Sequence, residues 1–173
     1  LKLSDADRCV TALPLSHVFG HACVMSTFLF AGAQIILPDR FDPAAFLKII
    51  HEEKATVFMG VPTLYVRMLA EPSLTREACR RMRLFISGSA PLQVETFDAW
   101  RERTGHTILE RYGMRETVML TSNPYHAKDG ERVRGTVGFP LPGVSLRVRG
   151  EHGRDCAPGE IGGRQTRRAF VHQ

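Results

Sequence analysis

Asp42-Pro43-Ala44-Ala45-Phe46-Leu47-Lys48-Ile49-Ile50-His51-Glu52-Glu53-Lys54-Ala55-Thr56-Val57-Phe58-Met59-Gly60-Val61-Pro62 is the stretch that decides the fold. Asp42 suits a helix N-cap, and Pro43 suits the first helical position, where its missing N–H would have had no partner anyway. Phe46, Leu47, Ile49 and Ile50 then recur on one face, so the spacing predicts a helix from 43 to about 53. Thr56-Val57-Phe58-Met59 follows as a short apolar, partly β-branched run closed by Gly60 and Pro62, which reads as a strand buried on both faces. Outward from this unit the alternation repeats. Residues 34–37 predict the preceding strand, 84–87 a later one, 92–103 a helix carrying Val94, Phe97 and Trp100, and 108–110 a further strand. Strands alternating with helices define an α/β class built of parallel βαβ units, with helices covering both faces of the sheet. Beyond Glu116, turn signals at Asn123-Pro124 and Asp129-Gly130 and the alternation over 144–149 predict a small β-rich part.

A chain of 173 residues with 43% apolar and 24% charged side chains can bury a core without disulfide staples. Cys9, Cys23, Cys79 and Cys156 form no C-x-x-C pair, which argues against both a disulfide framework and a zinc knuckle and for the reduced thiols of a cytoplasmic protein. The sequence opens at Leu1 with no basic-then-apolar leader. No stretch without a charge, His or Gln is longer than residues 22–33, which is shorter than the roughly 18 residues of a membrane span. A soluble protein with no membrane span is expected. The net charge of +5 raises the question of a nucleic-acid partner. Residues 163–173, however, hold Arg164, Arg167 and Arg168 and no acid, so most of the excess lies in this tail, with no aromatic interleaving. No nucleic-acid partner is expected.

Four stretches could carry chemistry, because an open α/β sheet places its ligands at the ends of its strands. Ser87-Gly88-Ser89-Ala90-Pro91 leaves one predicted strand and enters a helix. Its small residues either admit a flat or phosphorylated ligand to backbone amides near a helix start, or simply let strand and helix pack closely. Glu110-Arg111-Tyr112-Gly113-Met114-Arg115-Glu116-Thr117 places an aromatic, a glycine and a carboxylate within five positions. Tyr112 lies against a base and Glu116 holds Mg²⁺ beside phosphate oxygens, or Tyr112 is buried and Glu116 solvated; both readings stand. His17, after Leu13-Pro14-Leu15-Ser16, is either a catalytic group or a hydrogen-bonded core residue. Arg67, seven residues after Gly60, needs an anionic partner if it faces inward, such as a substrate's free carboxylate; otherwise it runs out to solvent. The absence of G-x-x-x-x-G-K-[ST], of G-x-G-x-x-G and of Cys/His metal spacing argues against P-loop, dinucleotide and zinc chemistry.

In this order, Leu13-Pro14-Leu15-Ser16-His17, Ser87-Gly88-Ser89-Ala90-Pro91-Leu92 and Tyr112-Gly113-Met114-Arg115-Glu116 resemble the LPLxH segment, adenine-contacting loop and YGxTE motif of the acyl-activating, adenylate-forming ligases. Met59-Gly60-Val61-Pro62-Thr63-Leu64-Tyr65-Val66-Arg67, Thr121-Ser122-Asn123-Pro124-Tyr125 and Gly135-Thr136-Val137-Gly138-Phe139-Pro140-Leu141-Pro142 resemble the malonyl-CoA synthetases among them. The likeness spans about 5–161. It implies that 1–162 is part of an AMP-dependent synthetase/ligase N-terminal domain, with 163–173 a basic tail outside it. It also implies an ATP-dependent reaction in which a carboxylate becomes an acyl-adenylate and then a CoA thioester, with ATP, Mg²⁺ and CoA as its cofactors and co-substrates. By this resemblance Gly88, Ser89, Ala90 and Pro91 border adenine, Tyr112 stacks near it, and Gly113, Met114 and Arg115 complete the nucleotide loop. Glu116 holds Mg²⁺ and acts with His17 as a catalytic residue, His17 sitting near the acyl group. Arg67 takes the distal carboxylate of a malonate-like substrate.

Two departures from the family pattern shape the expectation. Arg115 stands where the motif has Thr, and a guanidinium in a small hydroxyl site is expected to impair the reaction. The family's upstream phosphate loop with its Lys, and its downstream ribose-binding Asp, hinge and small domain with a catalytic Lys, are not in this sequence. The alternative is therefore an inactive fragment with at most residual nucleotide or partner binding. Residues 163–173 also show no strand alternation where the family continues a strand, so the tail is expected to come from a slipped reading frame. The coding DNA should then show a family-like strand continuing from about residue 162 in another frame. Its absence from all frames would overturn that expectation.

Overall fold

The computed structural model describes residues 1–148 and 169–172, and the chain divides into two compact units, Leu1–Phe139 and Pro140–Gln173. In the first, β1 (Arg8–Val10) leads to a π-helical segment, Phe19–Ser26, that runs on into α1 (Thr27–Phe30). Then come β2 (Gln34–Ile36), α2 (Pro43–Glu52), β3 (Val57–Gly60), α3 (Pro62–Leu69), β4 (Leu84–Ser87), α4 (Val94–Thr104) and β5 (Leu109–Tyr112). Two short strands follow, β6 (Thr121–Ser122) and β7 (Phe139–Pro140), with a 3-10 turn at Ala127–Asp129 between them.

The expected helix–strand unit forms as its residues dictate. Asp42 Oδ1 accepts from the Ala45 amide at 2.9 Å, with Pro43 at the head of α2. All four residues of β3 are buried, as a strand covered on both faces must be. Boundaries differ from expectation by a residue or two, and at α4 and β5 the cause is visible. Gln93 stays extended (φ −68°, ψ 142°), so α4 begins at Val94 rather than at 92, and it ends at Gly105, whose φ of +79° is the left-handed conformation glycine adopts freely. β5 continues past 110 because Arg111 and Tyr112 pair antiparallel with Ser122 and Thr121 of β6.

The sheet order is β2-β1-β3-β4-β5-β6-β7, parallel from β2 through β5. Helices cover both faces, as expected. Side chains alternate across each strand, so Val10, Phe58 and Phe85 face Phe46, Leu47, Ile50, Tyr65, Met68, Phe97 and Trp100 of α2, α3 and α4. Cys9, Val57, Met59, Leu84, Ile86 and Leu109 face Phe19, Cys23, Val24 and Phe28. On the first face an aromatic chain interlocks, with Phe58 tilted against Tyr65 and Trp100 set edge-on to both Tyr65 (4.9 Å) and Phe85 (5.0 Å). The chain winds one way from β1 to β2 and the other from β2 to β3, so the direction switches between β1 and β3. Thr11 closes that point: its Oγ1 donates to Met59 O at 2.8 Å and accepts from the Leu13 amide at 3.2 Å. Among the described residues no helix is long and apolar enough to cross a membrane, and Cys9, Cys23 and Cys79 are buried free thiols.

In the second unit, β8 (Ser145–Val148) pairs antiparallel with β9 (Ala169–His172), from Ser145 opposite His172 to Val148 opposite Ala169. Ser145, Leu146 and Arg147 alternate exposed and half-buried as expected. The tail, whose sequence shows no strand alternation, nevertheless contributes β9. Ladder pairing uses backbone groups, and Ala169-Phe170-Val171-His172 carries two good strand formers, so it pairs without strict alternation. The expected end of the family likeness near 162, and Cys156, lie outside the described residues.

At the amino-terminal edge of the sheet, Arg83 donates from Nε and Nη2 to the two Asp7 oxygens, each at 2.7 Å, and from Nη1 to the Tyr125 hydroxyl at 2.7 Å. Burial pushes the Asp7 carboxyl up, but hydrogen bonds from Arg83, the Ser4 amide and Thr56 outweigh it and hold Asp7 below the usual carboxylate range. Stability from this pair is therefore present above the unfolded carboxylate value and lost as pH falls through the lower folded one. Arg83→Met, which strands a buried carboxylate, should cost about 2 kcal/mol at pH 7. Urea unfolding between pH 7 and pH 3 checks this; a cost independent of pH would contradict it.

Candidate functional site

The loops expected to carry chemistry leave the carboxyl ends of β1, β4 and β5. Because β4 and β5 are neighbours with Ser87 opposite Glu110, the Ser87–Pro91 and Tyr112–Glu116 loops emerge side by side. A Cβ on Gly88 would lie 3.4 Å from the Phe19 ring and 3.6 Å from Arg111 O, so the first loop already touches both the π-helical segment and β5. Ser89 next to it holds φ at +68°, a conformation a non-glycine residue rarely adopts and one that collects at ligand sites. The second loop folds back on itself, with Val118 N donating to Met114 O at 2.8 Å and Leu120 N to Tyr112 O at 2.9 Å. A Cβ on Gly113 would fall 1.8 Å from Val118 O, so only glycine fits there.

His17 is exposed and not the core residue that one reading allowed. Its Nδ1 accepts from the Phe19 amide at 3.1 Å, at the start of the π-helical segment, and its own amide donates to Pro14 O at 3.0 Å. A small cavity of about 30 Å³, room for a water, lies beside it, lined by Val18, Phe19, Gly88, Ser89, Arg111 and Gly113 among others. Ala90, Pro91, Arg115 and Glu116 are exposed on the two loops, while Tyr112 and Met114 are half-buried. The structure therefore brings the Ser87–Pro91 and Tyr112–Glu116 stretches and the residue following His17 to one place. Arg67 is held elsewhere: exposed in the last turn of α3, it donates to Phe41 O at 3.3 Å and lies 4.8 Å over the Phe41 ring.

Two site residues escaped the sequence reading. Arg111 lies on the strand face of Leu109, toward Phe19 and Cys23, with a single Nε bond to Ser122 Oγ at 3.1 Å and no described carboxylate partner. Burial pulls its guanidinium below its ordinary value, with Cys23 opposing weakly. A cation held this way favours an anion in the adjoining cavity. The period-two parity from Leu109 was the available signal, but it needed the strand to extend beyond 110. Glu110, on the opposite face, is 5% exposed; burial pushes it up to about 7, only partly offset by the Leu92 and Gly135 amides. Ser87 Oγ, Glu110 Oε1, Thr117 Oγ1 and Thr121 Oγ1 are all buried without a hydrogen-bond partner, a concentration of unmet polar groups at this edge of the sheet. Among the described residues no three His, Cys, Asp or Glu side chains cluster, so a cation here would rest on one carboxylate and on its ligand's own oxygens.

The profile of the AMP-binding enzyme family matches residues 1–164. The Xenopus laevis protein named malonate–CoA ligase ACSF3, mitochondrial, is 40% identical over 156 residues, covering 82% of this chain and 26% of its own. The ATP-bound crystal structure of MatB from Rhodopseudomonas palustris is 48% identical with a TM-score of 0.85, covering 93% of this chain and 31% of that one. A malonyl-CoA ligase ternary product complex with methylmalonyl-CoA and AMP gives 38% identity and a TM-score of 0.76, covering 85% and 32%. The chain thus spans between a quarter and a third of the length of these relatives.

A carboxyl whose folded value lies above its unfolded one favours the protonated fold, so stability falls as pH rises from 4.5 through about 7. Glu110→Gln should therefore gain about 2 kcal/mol at pH 8 and close to nothing at pH 4.5. Urea unfolding at both pH values tests it; an equal effect at both would refute the buried, protonatable carboxyl.

Proposed function

This chain belongs to the AMP-binding enzyme family, and on that premise we propose that the protein containing it is an ATP-dependent acyl-CoA ligase acting on a malonate-like dicarboxylate. The observation that carries the proposal is the meeting of Gly88, Ser89 and Gly113 with Arg111, which has no described carboxylate partner, around one cavity at the carboxyl edge of the sheet.

In the first step a carboxylate oxygen of the substrate attacks the α-phosphorus of ATP, and the bond to the bridging oxygen breaks to release pyrophosphate. In the second, the CoA thiol attacks the acyl carbon and AMP departs. Both steps depend on positioning and on placing charge where charge develops. Gly88, Ser89, Ala90 and Pro91 would border adenine and Tyr112 would lie against it, with Gly113, Met114 and Arg115 completing the loop beside it. Glu116 would hold Mg²⁺ through its one exposed carboxylate together with phosphate oxygens, a ligand set that suits this cation. When bound, Mg²⁺ neutralises phosphate charge. His17, with its Nδ1 engaged by the Phe19 amide, keeps Nε2 for the acyl group.

The distal carboxylate has two candidate partners. Arg111 is half-buried, lines the cavity and has no acid partner among the described residues; Arg67 must first leave the Phe41 carbonyl and ring. We assign the larger share to Arg111 and a flanking contact to Arg67. Arg115, exposed on the loop with no described side-chain partner, is the feature that favours a second reading, a weakened or inactive ligase. The reduced thiols fit the cytoplasm. They fit equally a mitochondrial interior, the compartment in the frog relative's name.

Malonate-dependent exchange of labelled pyrophosphate into ATP by the complete protein tests the activity; no exchange with any small carboxylate would refute it. Arg111→Ala should raise the KM for malonate by about tenfold or more, the worth of a charged hydrogen bond, and leave a monocarboxylate within about twofold. Arg67→Ala should cost less. Arg115→Thr should raise kcat, and unchanged kinetics would remove the impairment reading.

A further inference from the structure

At the opposite, amino-terminal end of β4 and β5 lies a cleft of about 320 Å³ that none of these roles uses. Its polar lining includes Arg83, Arg101, His106, Thr107, Glu131 and Arg132, and Phe85, Pro124 and Tyr125 supply apolar wall. We infer that this cleft is an oxyanion site for a small phosphorylated molecule, separate from the site at the carboxyl edge.

Arg132 carries the argument. Its Nε donates to Pro124 O at 3.2 Å, Nη1 to Thr107 O at 2.6 Å and more weakly to Thr107 Oγ1 at 3.5 Å, and Nη2 to Tyr125 O at 3.1 Å. Those carbonyls fix the guanidinium in place, yet no described carboxylate offsets its charge, and one of its five N–H groups is left over. Arg101 comes from a different element, the last turn of α4, and its side chain makes no described hydrogen bond or ion pair. Arg83 is the one lining arginine already neutralised, by Asp7. Glu131 is the single acid in the lining, and it is exposed. The carbonyl end of α4 also points here and by itself disfavours an anion, but Arg101 in that turn counters a dipole worth about half a charge, while Arg103 is turned away to the carbonyls of Leu69, Glu71 and Leu74. His106, with Nε2 3.2 Å from Cys79 O, is held below its usual range by burial and then by Arg132 and Arg76, so it stays neutral and offers a ring rather than a charge. Two arginines from separate elements, one fixed and one free to swing, suit the several acceptors of a tetrahedral phosphate better than a lone carboxylate. The volume admits a small metabolite with a flat or apolar body against Tyr125 and Pro124.

This inference stands independently of the ligase reading, and its test uses inorganic phosphate as the probe. Calorimetric titration of the complete protein, with AMP saturating the carboxyl-edge site, should show phosphate binding below about 10 mM, the range of a few charge-assisted hydrogen bonds. Arg101→Glu, an exposed change that leaves the fold intact, should weaken phosphate by about fivefold or more and leave AMP affinity within about twofold. Arg132→Lys should weaken it further; if that variant fails to fold, Arg101→Glu decides alone. Loss of phosphate binding when AMP is added, no binding at all, or binding indifferent to Arg101→Glu would each overturn the site. If AMP does not bind, the ligase reading suffers while the Arg101→Glu arm still decides this one.

Discussion

The parallel register of β3, β4 and β5 sets Gly60 level with Ser87, and Ser87 level with Glu110. Strands in step finish at one height, so the loops that follow them share a rim. Slide β5 by one residue and Arg111 would turn to the opposite face, away from Phe19 and Gly88, because strand side chains alternate strictly. That register is fixed in turn by burial on both sides. Val57, Met59, Leu84 and Ile86 must meet the π-helical segment while Phe58 and Phe85 meet α3 and α4, and no shifted pairing satisfies both layers.

The two ends of the same strands are finished differently, although His126 Nε2 near the amino-terminal edge is also buried without a partner. At the amino-terminal edge Asp7, Arg83, Thr56 and Tyr125 satisfy one another at distances near 2.7 to 2.9 Å. At the carboxyl edge Ser87, Glu110, Thr117 and Thr121 keep buried polar atoms without partners, and Ser89 holds a strained backbone angle. Folding favours the first arrangement and tolerates the second only where the rest of the core over-determines it. The concentration of unmet groups supports the candidate site at the carboxyl edge without appeal to any likeness to other proteins.

Much of this was legible in the residues. The Asp42-Pro43 start, the buried run at β3, the strand–helix alternation and the loops after β4 and β5 all follow from local chemistry, and the structure returns them nearly in place. What was hidden depended on partners distant in sequence. Arg111 became a site residue only once β6 extended β5 past 110, and Glu110 drew attention only through its burial. Arg67 could be read as inward or outward from its own segment, and Phe41, twenty-six residues earlier, is what holds it. Ala169-Phe170-Val171-His172 has no pattern of its own, and its strand exists through the backbone of β8.

Thr11 has a wider meaning for this architecture. Doubly wound sheets commonly receive their ligands in the gap where the winding reverses, here between β1 and β3. A single hydroxyl, giving to one strand and taking from the turn after the other, stitches that gap shut. With the customary berth sealed, the candidate site lies to one side, at β4 and β5, two strands from where topology alone would point.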